Sequence, residues 1–150
     1  MDCWKSAVSN YNPTSATYCC GQYGVSRADC DPPCSRPHQH LGQDIKAPEG
    51  SDVRAVGAGT VDYVGATNGG GNTIRIDHGD GTWSVYFHLS AFGVTVGAVV
   101  RPGDVIGLVG RSGCGACSAH LHLQMQNRQA WAMNIAHTSD PTVDLWTEGC

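Results

Sequence analysis

The side chains of this sequence best equipped for chemistry are its histidines and cysteines. Seven histidines occur, at positions 38, 40, 78, 88, 120, 122 and 137. His120-Leu121-His122 is the most informative pair. On a strand, residues two apart project from the same face, so both imidazoles can enter one cleft while Leu121 turns to the core. His40 and Asp44 offer a nitrogen and an oxygen within a segment short enough for one bend to converge them. Zinc accepts three such ligands at about 2.0–2.2 Å, and catalytic sites keep a further position for water. His88 ends the apolar run Thr82–His88, whose alternation places Tyr86 on the same face. His38 is an alternative ligand to His40, whereas His78 and His137 read as ordinary surface or core residues. An isolated HxH or HxxxD arises readily by chance, but the ordered set with His88 between them is more specific.

The cysteines carry a second signal. Eight are present, an even number. Cys3, Cys19, Cys20, Cys30 and Cys34 lie near the start, Cys114 and Cys117 form a CxxC, and Cys150 stands last. This density fits an oxidising compartment and a secreted protein, with all eight paired in four intramolecular bridges. Cys114 and Cys117 are expected to pair with each other; the other partners open to Cys117 are the N-terminal cysteines and Cys150. A cysteine-ligated structural zinc site is less favoured, because such sites usually need two closely spaced ligand pairs. A thiol oxidoreductase is disfavoured too, because the CxxC lies in no βαβ pattern.

Short strands must position these groups. Runs rich in Val, Ile, Thr and Tyr alternate with Gly, Pro, Asn and Asp from about Asp44 onward. The expected strands are Asp52–Val56, Gly59–Val64, Asn72–Asp77, Thr82–His88, Val94–Val96, Val105–Val109 and His120–Gln126. Asp80-Gly81 supplies the positive φ of a tight hairpin. The expectation is an all-β fold, a small antiparallel sheet scaffold. Residues 1–37 are polar and lack periodicity, which predicts an irregular, disulfide-braced segment ahead of a single domain over 38–150. The tail, from Asp140-Pro141 through Thr142–Trp146, reads as a short loop docked on the core. A chain of 150 residues suits one folding unit.

Composition excludes several roles. Charged residues are 15% of the chain, against about 25% in typical proteins. The net charge is -4, which offers no footprint for nucleic acid or an anionic membrane. No stretch approaches the roughly 20 apolar residues of a membrane span. The start, Met1-Asp2-Cys3-Trp4-Lys5, has no apolar leader, so the expectation is a mature chain whose leader has been removed.

The ordered motifs resemble a known family. His40-Leu41-Gly42-Gln43-Asp44 matches the HxGxD motif of lysostaphin-type (LytM-like) zinc endopeptidases. The segment Ala47 to Val56, then Gly59-Thr60-Val61, Gly71-Asn72-Thr73-Ile74, Asp77-His78-Gly79 and Tyr86-Phe87-His88-Leu89-Ser90 follow in the family's order. Pro102-Gly103-Asp104-Val105-Ile106-Gly107 and Gly110-Arg111-Ser112-Gly113 continue it, and His120-Leu121-His122-Leu123 closes it. The resemblance implies one zinc ion held by His40, Asp44 and His122, with His88 and His120 catalytic. It implies a groove on a small antiparallel sheet and hydrolysis of peptide bonds in bacterial peptidoglycan, in bridges or stem cross-links, by a monomer.

Two departures bear on function. Cys114-Gly115-Ala116-Cys117-Ser118-Ala119 replaces the family's usual segment before HxH, and Gln124 stands where an acidic residue is common. Cys20-Gly21-Gln22-Tyr23-Gly24 and Arg36-Pro37-His38-Gln39 are similar to the leukocyte cell-derived chemotaxin branch. That likeness implies the rival reading, a secreted zinc-stabilised binding or signalling module without catalysis. Retention of both His88 and His120 favours the enzyme.

Overall fold

The computed structural model describes Ala7, Tyr23 and residues 40–132 and 134–141. Nine strands form an antiparallel sheet among these residues: β1 Gln43–Lys46, β2 Asp52–Arg54, β3 Gly59–Thr67, β4 Gly71–Asp77, β5 Trp83–Phe92, β6 Val99–Val100, β7 Val105–Val109, β8 His120–Gln126 and β9 Thr138–Ser139. The spine runs in the order β1-β8-β5-β4-β3-β6, with β7 joining β2 to β5 and β9 on β8. The fold is all-β, as expected. A 3-10 turn spans Ile135–His137.

The strands form where apolar residues alternate or run together. β4 is centred on Ile74 and Ile76, and β8 on Leu121, Leu123 and Met125, all buried. With Val53, Val61, Tyr86, Leu89, Ile106 and Val109 they make one contiguous core. β5 is the structural hub. Residues 83–87 pair with β8 on one side and 74–77 of β4 on the other, and 89–92 then pair with β7.

Several elements depart from the sequence expectation. β1 is a strand that no apolar run announced; it forms because the edge of β8 supplies its hydrogen-bond partners. Val94–Val96 is not a strand. Val96-Gly97 makes a turn, and pairing resumes at Val99–Val100 against Gly59–Thr60. β3 and β5 run further than their apolar patterns, to Thr67 and Phe92. Tyr86 and His88 do not share a face. Tyr86 is fully buried with its hydroxyl accepting from the Val56 amide at 2.9 Å, whereas His88 lines a groove. The cause is the backbone of His88, whose φ of 63° lies in the left-handed region and breaks strand alternation.

Cys114 and Cys117 are joined by a disulfide, with Cα atoms 5.7 Å apart. The segment 1–37 with the bridges assigned to it, His38, Thr142–Trp146 and Cys150 lie outside the described residues, Ala7 and Tyr23 excepted. Ala7 packs into the core and its carbonyl accepts from the Arg54 amide. Tyr23 contacts Gln43 and Thr138. None of the described helices is long and apolar enough to cross a membrane.

Leu121 links packing to chemistry, because its burial keeps its two histidine neighbours on the opposite face. Leu121→Ala should cost roughly 2–5 kcal/mol, the usual range for a buried leucine. A urea denaturation midpoint unchanged from wild type would contradict this packing.

Candidate active site

The groove holding the sequence-selected residues has a volume of about 1040 Å³. Cross-strand register builds its floor. Asp44 on β1 lies directly opposite His122 on β8, and His122 lies opposite Phe87 on β5. His120, two residues before His122, enters the same groove, and His88 follows Phe87. His40, in the chain leading into β1, is almost completely buried and meets Asp44 and His122 at the edge of the groove. All five sequence-selected residues therefore converge.

Three donors meet closely. His122 Nδ1 is 2.9 Å from Asp44 Oδ1 and 2.9 Å from His40 Nε2, and His40 Nε2 is 3.2 Å from Asp44 Oδ1. Two ring nitrogens facing each other beside one carboxylate oxygen can share only one hydrogen between them. An ion with bonds of about 2.0–2.2 Å spaces tetrahedral donors about 3.3–3.6 Å apart. The triangle reaches that size by shifts of a few tenths of an ångström, and two imidazoles with a carboxylate are ligands zinc takes. The donor set therefore fits a zinc ion.

The spacing within HxGxD has a steric reason. A Cβ on Gly42 would sit 2.3 Å from the Leu123 carbonyl oxygen and 2.6 Å from His122 Nε2. Only glycine lets β1 approach β8 closely enough for Asp44 to reach His122. Burial raises the Asp44 carboxyl, but hydrogen bonds and charge from His122 and His40 outweigh it, so the group stays far below the ordinary carboxylate range. Burial pushes His122 the other way for a base, below the usual histidine value, against the pull of Asp44. The resting pair is thus an ionised carboxylate beside a neutral imidazole.

His88 and His120 are held differently. His88 Nδ1 lies 2.8 Å from the Ser112 carbonyl, and His120 Nδ1 lies 2.8 Å from the Ser118 carbonyl. A carbonyl only accepts, so each Nδ1 carries the hydrogen and each Nε2 is left as an acceptor. The Ser112 carbonyl is itself fixed. Its Oγ donates to the Leu89 carbonyl at 2.7 Å and accepts from the Asn72 amide at 2.9 Å. The His88 amide donates to the Gly70 carbonyl, which secures the left-handed backbone. Desolvation by burial lowers His88 to about 4, with the neighbouring His120 and His122 adding to the shift, so the ring is neutral at physiological pH. The rings of His88 and His120 lie tilted at 55° with centroids 4.8 Å apart, and His120 Nε2 is 3.8 Å from Asp44 Oδ1.

The family model for Peptidase family M23 matches residues 38–135. The chain belongs to peptidase family M23. The DD-carboxypeptidase/endopeptidase Mpg of Neisseria meningitidis serogroup B is 42% identical over 107 residues, 71% of this M23 chain and 24% of that protein. Lysostaphin from Staphylococcus simulans is 38% identical over 114 residues, 73% of this chain and 22% of that protein. The chain thus spans about a quarter of the length of these relatives. The catalytic domain of the antimicrobial peptidase lysostaphin superimposes with a TM-score of 0.69 at 28% identity, covering 91% of this chain and 98% of that one.

His78 and His137 stay out of the groove, as expected. His78 bonds the Ala58 carbonyl and Ser84 Oγ, and His137 lies beside Arg128. Sequence reasoning did not single out Trp131, which lines the groove with its ring edge-on to Tyr63 at 5.1 Å and Arg75 over it at 4.7 Å. No periodicity marks that loop. Arg75 holds it by bonding the Gln129 carbonyl at 2.6 Å while paired with Asp62 at 2.7 Å.

Gly42→Ala tests the close approach of β1. It should lower the affinity of the metal-free chain for added zinc by about 10- to 100-fold, the effect of disturbing the support around a metal ligand. Isothermal titration reads this directly, and an affinity equal to wild type would exclude the steric argument.

Proposed function

We infer that this M23 chain is a secreted zinc endopeptidase, with its catalytic domain over 38–150, that cuts peptide bonds in bacterial peptidoglycan bridges or cross-links as a monomer. One observation carries the reading: a three-donor cluster and two carbonyl-anchored imidazoles share one groove. Kinship with a DD-carboxypeptidase/endopeptidase and with lysostaphin supports the substrate class. The Cys114–Cys117 disulfide and the eight cysteines support secretion.

His40, Asp44 and His122 would hold the zinc ion. When bound, zinc would polarise the scissile carbonyl and lower the pKa of a water to about 7. Peptide hydrolysis also needs a proton acceptor, a proton donor for the leaving amine and a partner for the oxyanion. The chain offers no HExxH glutamate for the first task. In the neutral ring the Nδ1 anchors of His88 and His120 leave Nε2 as the acceptor, so either can take a proton from the attacking water. The ring that accepts becomes a donor, able to stabilise the oxyanion and then pass its proton to the amine. The Nδ1 anchors keep both rings aimed while this happens. His88 stays neutral through physiological pH, which keeps its acceptor available.

Metal occupancy should depend on pH. His40 and His122 ligate as neutral rings, so zinc binding is complete near neutrality and is lost as acid protonates them. Zinc retained in full after dialysis at about pH 4, well below the ordinary histidine value, would argue against histidine ligation.

His88→Ala and His120→Ala should each keep zinc and the fold yet cleave purified peptidoglycan 10²–10⁴-fold more slowly, roughly the contribution of a general acid–base group. His122→Ala should lose most of its metal. Metal content and cleavage rate are measured together on each variant. Unchanged cleavage in both zinc-loaded variants would overturn the assigned roles, and a zinc-loaded wild type that cleaves no wall preparation or glycine-rich peptide would overturn the enzyme reading.

A further inference from the structure

The Cys114-Gly115-Ala116-Cys117 loop has no part in the chemistry above, yet both cysteines line the same groove. Cys117 Sγ lies 3.8 Å from His120 Nδ1. One donor atom from each of Cys114, Cys117 and His120 falls within a span of 4.8 Å. Two sulfurs and an imidazole, in a CxxCxxH spacing, are a soft donor set that suits zinc, cadmium or cobalt. In the oxidised chain the sulfurs are bonded to each other and neither is a thiolate.

We propose that reduction of the Cys114–Cys117 bridge by a dithiol creates a second metal site, formed by both thiolates and His120 Nδ1, whose occupation switches His120 off. The dithiol attacks the bridge through a mixed disulfide and leaves as its own cyclic disulfide. Two electrons pass to the cysteine sulfurs, the S–S bond breaks, and two thiols form. A divalent ion then displaces both thiol protons to solvent.

The consequence for His120 follows from its tautomer. Its Nδ1–H is committed to the Ser118 carbonyl at 2.8 Å, which leaves Nε2 as an acceptor 3.8 Å from Asp44 Oδ1. A metal on Nδ1 takes that nitrogen's lone pair, so the neutral ring's single hydrogen moves through solvent from Nδ1 to Nε2. His120 could then donate into the groove but no longer accept. The disulfide therefore keeps a thiophilic ion off the catalytic wall.

The inhibition part rests on the proposed role of His120, whereas the metal-binding part does not. The full chain is reduced with dithiothreitol, freed of reductant without oxygen and loaded with Co²⁺. A Cys114→Ser/Cys117→Ser chain is treated identically, so thiols elsewhere contribute equally to both. The native chain should bind one more ion than the double variant and show additional thiolate-to-cobalt charge-transfer absorption, and the oxidised native chain should show neither. Equal stoichiometry and equal spectra in the two reduced chains would overturn the site.

A measurement on the native chain alone keeps the test independent of that variant's folding. Ring nitrogen NMR shifts of His120 in the reduced protein should switch from Nδ1–H to Nε2–H on adding Cd²⁺; an unchanged tautomer would refute the ligation. With the second site filled by Zn²⁺, cleavage should fall about 10²-fold, the contribution of one acid–base group. Full cleavage with the second ion bound would overturn the switch alone. No cleavage even by the oxidised one-zinc chain would instead strike the enzyme reading, with the stoichiometry still deciding the site.

Discussion

The antiparallel register of β1 on β8 is the constraint on which the groove depends. It sets Asp44 opposite His122, and the sheet's two-residue side-chain period then fixes where His120 and Leu121 must point. A slip of one residue would bury both histidines and expose Leu121. Gly42 makes this register possible by allowing backbone contact at the one place where any side chain would strike the Leu123 carbonyl. The buried leucines of β8 hold the strand in place from the other side, so core packing and donor geometry share a single element.

Electrostatics divides the five groove residues into two kinds. His40, Asp44 and His122 meet one another, and the contacts of both imidazoles with Asp44 outweigh its burial and hold the carboxylate ionised beside a neutral His122. Such a cluster gains from a cation, because its acceptors outnumber the hydrogens available between them. His88 and His120 instead anchor on backbone carbonyls and turn a lone pair toward the groove. The left-handed backbone at His88 is part of this arrangement. An unfavourable conformation held by the Gly70 and Ser112 carbonyls brings Phe87 and His88 to the same groove while Tyr86 stays in the core.

The loop between β7 and β8 and the segment after β8 carry little core, so their positions come from specific bonds. Ser112 ties its loop to β4 and β5, the Cys114–Cys117 bridge closes the next turn, and Arg75 pins the segment bearing Trp131. Each of these is a polar or covalent tie at the groove rim.

The sequence alone determined the β class and most of the strands, because apolar alternation is a local pattern, and its ordered resemblance to the lysostaphin-type family picked out the five residues that converge. β4 and β8, with dense apolar runs bounded by turns, were legible in full or nearly so. The short edge strands β1 and β9 were not, because their stability comes from the neighbour they pair with and not from their own residues. Val94–Val96 read as a strand by composition, yet the turn at Gly97 moved the pairing to Val99–Val100. Which nitrogen of each histidine faces the groove, that Tyr86 and His88 part company, and that Cys117 lies against His120 were decided only by the tertiary structure. Those facts depend on carbonyls and sulfurs brought close by folding, and no local spacing encodes a contact between segments that meet only in the folded sheet.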